Sequence, residues 1–234
     1  MKKLVVFILT TVIFICTLTA CGKTTISQES FCFENTEWGM SKDQVSRKLK
    51  LSNIDFINNT SSESSDLDIY QVKDYKWKGV ICDLVLAFSN GNDPFARTDS
   101  LCKVQIVFKD KQSFDKMTEE LKKIIGEPPQ KETKLEAITS QAWYTSKTVF
   151  SYFDENEKKY NKFIDGLLNV YSQNTDSDDS MEKHKASVAD LYKNEYLASI
   201  EVLSVNDTTE ETEYCGAIHF NGTTMNYVNG VLKN

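Results

Sequence analysis

The pattern of hydrophobic and polar positions predicts a chain of strands interrupted by a few amphipathic helices. Residues 101–109 alternate strictly, with Cys102, Val104, Ile106 and Phe108 on one side and Lys103, Gln105 and Lys109 on the other. This alternation is expected for a sheet with one face in water. The same reasoning predicts strands at 68–75, 79–88, 139–145, 147–153, 163–172, 196–205, 213–220 and 223–228. Asn221-Gly222 predicts a two-residue hairpin turn between the last two of these strands.

Three helices are predicted from apolar spacing and end signals. The first covers 42–49, where Ser41 and Gln44 have the spacing of a capping box. The second follows Ser113 as its N-cap and carries one apolar stripe, which consists of Phe114, Met117, Leu121, Ile124 and Ile125. Gly126 and the prolines after it end this helix. A third, short helix is predicted at about 181–194.

These elements predict an α+β fold in which helices pack on an antiparallel β-sheet. A helix followed by three strands occurs twice, with the cap serines 72 positions apart, which indicates a duplicated unit. The folded domain is expected over 31–173, and an acidic linker follows at 174–180. Residues 181–234 are expected to add a helix and a C-terminal β-hairpin region. We favour completion of the main sheet over a separate unit, because about 50 residues make a weak independent core.

The beginning of the chain has the organisation of an export signal. Lys2 and Lys3 precede an apolar stretch at 4–15, which is shorter than the roughly 20 residues of a membrane-spanning helix. Leu18-Thr19-Ala20-Cys21 resembles the lipobox of bacterial lipoproteins. The resemblance implies a signal peptide at 1–20 and a diacylglycerol on Cys21, which would anchor the protein to the lipid bilayer at the extracytoplasmic face of the cell membrane. The polar residues 21–30 are interpreted as a flexible tether.

Composition narrows the classes of partner. Without residues 1–20 the chain has 25 basic and 34 acidic residues, a formal net charge of −9. Such a chain repels phosphate backbones, so no nucleic-acid partner is expected. The length that remains is enough for one large domain with its own core.

Four cysteines follow Cys21, at positions 32, 82, 102 and 215. If the strands at 79–88 and 101–109 form a hairpin, Cys82 lies about six residues along the pair from Cys102, near 20 Å at about 3.3 Å per residue. A disulfide needs Cα atoms closer than about 7 Å, so these two are not expected to pair. Two interpretations stay open for the four cysteines: small buried apolar side chains, or disulfides permitted by export.

The sequence contains no G-x-S-x-G elbow, H-E-x-x-H motif or paired C-x-x-C. No catalytic residue, metal ligand or cofactor is therefore expected, and His184 and His219 are interpreted as solvated or sheet-face side chains. The S-x-x-K match at Ser113 is expected by chance, because lysine is common in this sequence. The acidic run around Asp176 is similar to a calcium loop, but it lacks the required glycine and terminal glutamate.

One aromatic segment is a candidate binding face. Tyr75 and Trp77 alternate with Lys76 and Lys78. Aromatic rings offer contact area and lysines offer donors, so the segment could bind a sugar or a peptide. The alternative is a strand whose aromatic rings pack inward while its lysines stay in water.

Two further segments resemble exported proteins. Glu37-Trp38-Gly39-Met40-Ser41, which leads into a helix, resembles the opening of small bacterial lipoproteins. Residues 121–128, followed by Ala142-Trp143-Tyr144, resemble the small lipoprotein subunit of the outer-membrane β-barrel assembly machine, whose architecture the β-lactamase-inhibitor protein has in duplicated form. The resemblance implies helices on an antiparallel sheet over 33–172, and interaction with proteins.

Together these observations predict a lipid-anchored module that binds an envelope protein or glycan. One alternative is a protein inhibitor of a secreted hydrolase, which rests on the duplicated inhibitor fold. Another is an envelope enzyme that uses a pair of carboxylates.

Overall fold

The computed structural model describes residues 26, 30–57, 66–128, 133–135, 138–174, 181–205 and 215–233. The predicted signal peptide, Cys21 and most of the tether and of the acidic linker lie outside these residues. The described residues form six helices and eight strands in the following order: α1 (Lys42–Leu49), β1 (Asp55–Ile57), β2 (Leu67–Trp77), β3 (Val80–Ser89), β4 (Ser100–Phe108), α2 (Lys111–Ile125), β5 (Thr133–Leu135), β6 (Ile138–Tyr144), α3 (Val149–Tyr152), α4 (Glu157–Asn174), α5 (Met181–Lys193), β7 (Ser199–Val205), β8 (Gly216–Asn221) and α6 (Thr223–Lys233).

All eight strands belong to one sheet with the order β1-β2-β3-β4-β8-β7-β6-β5. Every neighbouring pair is antiparallel. The α+β fold predicted from the sequence is therefore confirmed. The last two strands, β7 and β8, lie between β4 and β6, so they provide the centre of the sheet rather than an appendage to it.

One face of the sheet is covered and forms the main core. Helix α2 packs against β3, β4 and β8. Four residues of its predicted apolar stripe are buried: Phe114, Met117, Leu121 and Ile125. Beside it, the ring of Phe33 lies 5.5 Å from the rings of both Trp77 and Phe220, measured between centroids. Burying one such side chain contributes about 1.5–3 kcal/mol, so this aromatic cluster holds the segment before α1 against the sheet.

The helix ends follow local side-chain chemistry. At α1, Ser41 Oγ accepts from the Gln44 N–H at 3.3 Å and Gln44 Oε1 accepts from the Ser41 N–H at 2.8 Å, which confirms the capping box. The predicted N-cap of α2 is wrong, because Asp110 Oδ1 accepts from the Ser113 N–H at 2.7 Å and the helix begins at Lys111. Asp and Ser are both favoured at the N-cap of a helix, and here they occur three residues apart, at Asp110 and Ser113. Gly126 ends α2 with a positive φ of 88°, as predicted.

The segments predicted as strands at 147–153 and 163–172 are helical, which is the main error in the sequence analysis. Helices α3 and α4 form a second core with α5 and α6, and its fully buried members include Val149, Phe163, Ile164 and Val228. In α4 the buried positions 160, 163, 164, 167 and 168 have the i, i+3, i+4, i+7, i+8 spacing of a helix, and the predicted strand began at 163 and left out the first of them. The duplication of a helix-plus-three-strand unit is wrong for the same reason.

The hairpin predicted at Asn221-Gly222 is also wrong, since residues 223–233 form helix α6. Asn221 Oδ1 accepts from the N–H of Thr223 at 3.1 Å and from its hydroxyl at 2.8 Å, which starts a helix instead of a turn. Gly222 N–H donates to the Cys102 carbonyl at 2.9 Å, so the chain leaves β8 alongside β4. An Asn-Gly pair can either form a hairpin turn or precede a helix. The apolar residues that follow, Met225, Val228 and Val231, belong to the second core, where α6 packs on α4.

The remaining sequence predictions concern the cysteines and the third helix. Asp83 pairs with Val107, which places Cys82 at the Phe108 end of the β3–β4 pair, as predicted. The four cysteines after Cys21 are free thiols, and three of them are buried. The predicted helix at about 181–194 is confirmed as α5.

Among the described helices, none combines the length and apolar character that a membrane crossing requires.

Candidate functional site

The second face of the sheet is not buried like the first. On β4, β8 and β7, two consecutive rows of side chains that point away from the core are exposed or half-buried, whereas on β3 Val85 is half-buried and Asp83 and Ala87 are buried. We call this surface the open face. It consists of two adjacent cross-strand rows: Val85, Gln105, His219 and Glu201, and beside them Ala87, Lys103, Asn221 and Ser199. Strand alternation explains it, because every second residue of these strands must leave the core.

The strand register brings the polar residues of the open face into one row. Gln105 of β4 pairs with Val85 on one side and with His219 on the other. His219 of β8 pairs in turn with Glu201 of β7. Residues that face each other across an antiparallel pair have Cβ atoms about 4.5–5.5 Å apart, so these side chains contact one another.

A second row runs beside the first. Lys103 of β4 pairs with Ala87 of β3 and with Asn221 of β8, and Asn221 pairs with Ser199 of β7. The two rows enclose a depression of about 400 Å³. Its wall on the β2–β3 side is apolar and consists of Leu67, Ile69, Val85 and Ala87. Small-molecule sites in proteins combine apolar walls with a few polar groups in cavities of about this size.

The side chain of His219 lines this depression. Its Nε2 is buried and has no hydrogen-bond partner among the described residues. Burial lowers the pKa of His219 from its ordinary 6.5; the carboxylate of Glu201 opposes this shift, and the ammonium of Lys103 adds to it. A buried polar atom without a partner costs about 1–3 kcal/mol.

Glu201 is held in place by a neighbour on β6. Ser140 Oγ donates to Glu201 Oε1 at 2.6 Å. A hydrogen bond of this length to a carboxylate is among the stronger ones in proteins. One oxygen of Glu201 is thereby fixed, and the carboxylate keeps a defined position beside His219.

Lys103 supplies an available positive charge. Its side chain is exposed, and it takes part in none of the ion pairs between described side chains. Together with Glu201 it places one charge of each sign on strands that flank His219. The arrangement suits a ligand that is itself dipolar.

A second buried polar group on the same face, Asp83, has a structural explanation. Its carboxylate accepts from Gln71 Nε2 and from the Asp74 N–H, both at 3.2 Å, and pairs with Lys109 at 3.3 Å. These contacts hold the bulge of β2, where Asp74 has a φ of 54°. The contacts of this carboxylate therefore explain its burial.

The depressed pKa of His219 predicts a pH-dependent stability. The folded state binds a proton on His219 less readily than the unfolded chain, so the stability present above pH about 6.5 is lost as the pH falls below that value. The variant His219→Gln is therefore expected to lose less unfolding free energy than the wild type between pH 7.5 and pH 5.5. Urea unfolding at the two pH values measures this. His184→Gln is the matched control because His184 is exposed on α5, and identical pH profiles for His219→Gln and the wild type would contradict the assignment.

The structure places the aromatic pair from the sequence analysis elsewhere. Trp77 is 2% exposed and belongs to the main core, so its ring offers no surface to a partner. Tyr75 is half-buried, and its hydroxyl donates to Glu34 Oε2 at 2.8 Å. Lys76 and Lys78 are exposed. The inward-packed alternative therefore describes Trp77, and the segment does not form an aromatic binding face.

Other residues singled out from the sequence do not converge on a site. Ser113 lies inside the first turn of α2, and His184 is exposed on α5 and does not line the depression. Within the described ranges, no group of three or more His, Cys, Asp or Glu side chains could hold a metal ion. The calcium-like run around Asp176 lies outside the described residues.

Sequence reasoning missed the open face because its residues come from distant segments. His219 and Glu201 each sit in a predicted strand, but only the register of β7 with β8 shows that they are opposite each other. The available signal was the polar residue at every second position of β8, namely His219 and Asn221. That signal identifies the solvent-facing side of β8, but it does not show which strands pair with β8 or in which register.

Comparison of the chain with known protein families, with curated proteins and with solved structures finds no match.

Proposed function

We propose that this protein is a lipid-anchored extracytoplasmic binding protein, that the open face is its binding surface, and that it is not an enzyme. The observation that carries the proposal is the depression of about 400 Å³, which Lys103, Glu201 and His219 line beside an apolar wall. Small-molecule sites combine a few polar groups with apolar walls in this way.

The proposed location rests on the residues before the folded domain. Lys2, Lys3 and the apolar stretch at 4–15 favour export, and Ala20-Cys21 favours acylation of the cysteine. Two acyl chains hold a protein at a membrane durably, at about 0.8 kcal/mol per buried methylene. The acidic, folded domain would then sit outside the cell, where it meets ligands before they reach the membrane.

Binding is favoured over catalysis by the way the polar groups are connected. Nucleophilic catalysis needs a hydroxyl hydrogen-bonded to a base. Here the Ser140 hydroxyl donates to the carboxylate of Glu201, a weaker base than an imidazole, and His219 Nε2 has no partner among the described residues. The polar groups of the open face are therefore arranged to contact a ligand and not to activate one of their own side chains.

Photocrosslinking in intact cells tests the binding surface. Benzoylphenylalanine placed at Gln105, in the middle of the open face, is expected to give a discrete mass adduct after irradiation and purification of the full chain. The matched control is the same residue at Lys123, whose side chain is 68% exposed on α2. Filling the depression with Ser199→Trp is expected to remove the Gln105 adduct. No adduct at Gln105, or equal adducts at both positions, would contradict the proposed function.

A further inference from the structure

We infer that the ligand of the open face is a neutral oligosaccharide, of which one sugar ring stacks on Tyr196 while its hydroxyl groups bind the polar side chains beside it. The inference rests on the proposed function, because it assigns a ligand class to that same surface. Three observations support it: a stacked pair of tyrosines at the edge of the face, polar side chains that their neighbours hold in place, and the balance of charges.

A tyrosine extends the second row of the open face onto β6. Tyr144 pairs with Ser199 of β7, the last residue of that row. Side chains alternate along β6, and Ser140 reaches Glu201 on the open face, so Tyr144 lies on this side of the sheet as well. Ser199 lines the depression, and residues paired across two strands have neighbouring side chains, so Tyr144 lies directly beside the depression.

Tyr144 carries a second aromatic ring. The rings of Tyr144 and Tyr196 are stacked, with centroids 4.8 Å apart and an interplanar angle of 26°. One face of the Tyr196 ring is therefore covered, but the residue is 41% exposed, so the outer side of the ring meets solvent. A backbone bridge between Tyr196 and Thr148 fixes the position of the residue. We call this pair of rings the tyrosine platform.

An exposed ring of this kind suits a sugar. The face of an aromatic ring carries partial negative charge, and the C–H groups on one side of a pyranose ring carry partial positive charge. Both surfaces are flat, so they stack and remove apolar area from water. The adjacent depression of about 400 Å³ has the size of a small-molecule site, and it accommodates sugar rings rather than a folded partner.

Polar side chains beside the tyrosine platform are held in place by their neighbours. Asn221 Oδ1 accepts from both the N–H and the hydroxyl of Thr223, which fixes the amide and leaves its nitrogen as a donor. Ser140 fixes Glu201 in a similar way. Such planar groups match the hydroxyls of a sugar, since a hydroxyl both donates and accepts hydrogen bonds. Groups that are positioned before binding lose little conformational entropy, so they add to affinity.

The charges of the open face favour a neutral ligand. Lys103 and Glu201 supply one charge of each sign in adjacent rows, so the surface as a whole attracts neither anions nor cations. A hydroxyl group is a neutral dipole, which can accept from the ammonium of Lys103 or donate to the carboxylate of Glu201. The formal net charge of −9 for the chain after residue 20 also opposes an anionic polysaccharide.

Binding to an array of immobilised oligosaccharides tests the inference. The array carries neutral oligomers of hexoses, pentoses and N-acetylhexosamines, with oligogalacturonate as the anionic comparison. The detergent-purified, full-length protein is expected to bind at least one neutral oligomer, and to bind oligogalacturonate about tenfold more weakly or worse. Binding to none of the neutral oligomers, or stronger binding to oligogalacturonate, would overturn the inference.

Matched variants test the tyrosine platform with the neutral oligomer that the wild type binds best. Tyr196→Ala is expected to weaken binding about tenfold, whereas Tyr196→Phe keeps the ring and is expected to bind like the wild type. Tyr171→Ala is the control, because Tyr171 is 47% exposed on α4 and does not line the depression. Circular dichroism checks that each variant is folded. Equal binding by the wild type and a folded Tyr196→Ala variant would contradict the placement of the sugar and overturn the inference.

The crosslinked adduct at Gln105 separates this inference from the proposed function. Tandem mass spectrometry of the adduct is expected to give the fragment ions of sugars. If the adduct gives the fragments of a second polypeptide instead, the partner is a protein, so the oligosaccharide inference fails and the proposed function stands. If no adduct forms at Gln105, both fail.

Discussion

Replacing Cys21 by alanine is expected to abolish the incorporation of labelled palmitate and to release the protein from the membrane fraction. The reason is covalent, because the Cys21 thiol is the proposed acceptor of the diacylglycerol and no other side chain near the cut can take its place. Without two acyl chains, at about 0.8 kcal/mol per buried methylene, nothing in the tether provides comparable membrane affinity. Labelling of growing cells, followed by fractionation and immunoprecipitation, measures both effects.

Cys16→Ala is the matched control for this experiment. Cys16 lies five positions earlier in the predicted signal peptide, and its replacement leaves Ala20-Cys21 intact. The control is expected to be labelled like the wild type. Equal labelling of the Cys21 variant, or a native protein isolated with Met1 still in place, would show that the anchor is assigned incorrectly.

Replacing Gly222 by alanine is expected to destabilise the fold by about 1–3 kcal/mol or more, as overpacking of a tight core does. A Cβ at this position would overlap the indole of Trp38, which is 7% exposed and has little room to move. Trp38 Nε1 also donates to the Ser30 carbonyl at 2.6 Å, so displacing the ring breaks a hydrogen bond as well. Denaturant unfolding followed by tryptophan fluorescence and circular dichroism measures the loss.

A double-mutant cycle separates this clash from a simple glycine effect. If the added methyl group acts through the indole, the cost of Gly222→Ala is expected to fall in a Trp38→Leu background, where the ring is absent. Contacting residues of this kind show coupling free energies of about 0.5–3 kcal/mol. An unchanged cost in both backgrounds would mean that the constraint on Gly222 comes from its backbone and not from Trp38.

The elements that were predicted correctly are those specified by short-range signals. The capping box of α1 needs only Ser41 and Gln44, and the alternation in β4 needs only its own residues. The elements that were wrong carry ambiguous local signals. Asn221-Gly222 starts helix α6 in place of a hairpin, and the apolar pattern of α4 begins at Tyr160, three residues before the segment that was interpreted as a strand.

The candidate site illustrates a stronger limit. Ser140, Glu201, His219 and Lys103 are neighbours only because β6, β7, β8 and β4 pair in a particular order and register. A shift of one residue in any pair would turn its side chains to the other face of the sheet. Local propensity does not encode that order, since it depends on which strands pair across more than 100 residues of chain.

The sequence by itself determined the α+β class, the ends of α1 and most strands of the sheet, and it is the basis of the proposed export and acylation. These depend on side chains a few residues apart, whose spacing sets helix caps and strand alternation directly. The tertiary structure alone decided that Ser199–Val205 and Gly216–Asn221 form the centre of the sheet, that Trp77 is buried, and that His219 lies between Glu201 and Lys103. The physical reason is that burial and long-range strand register result from packing the whole chain at once, so no single segment carries them.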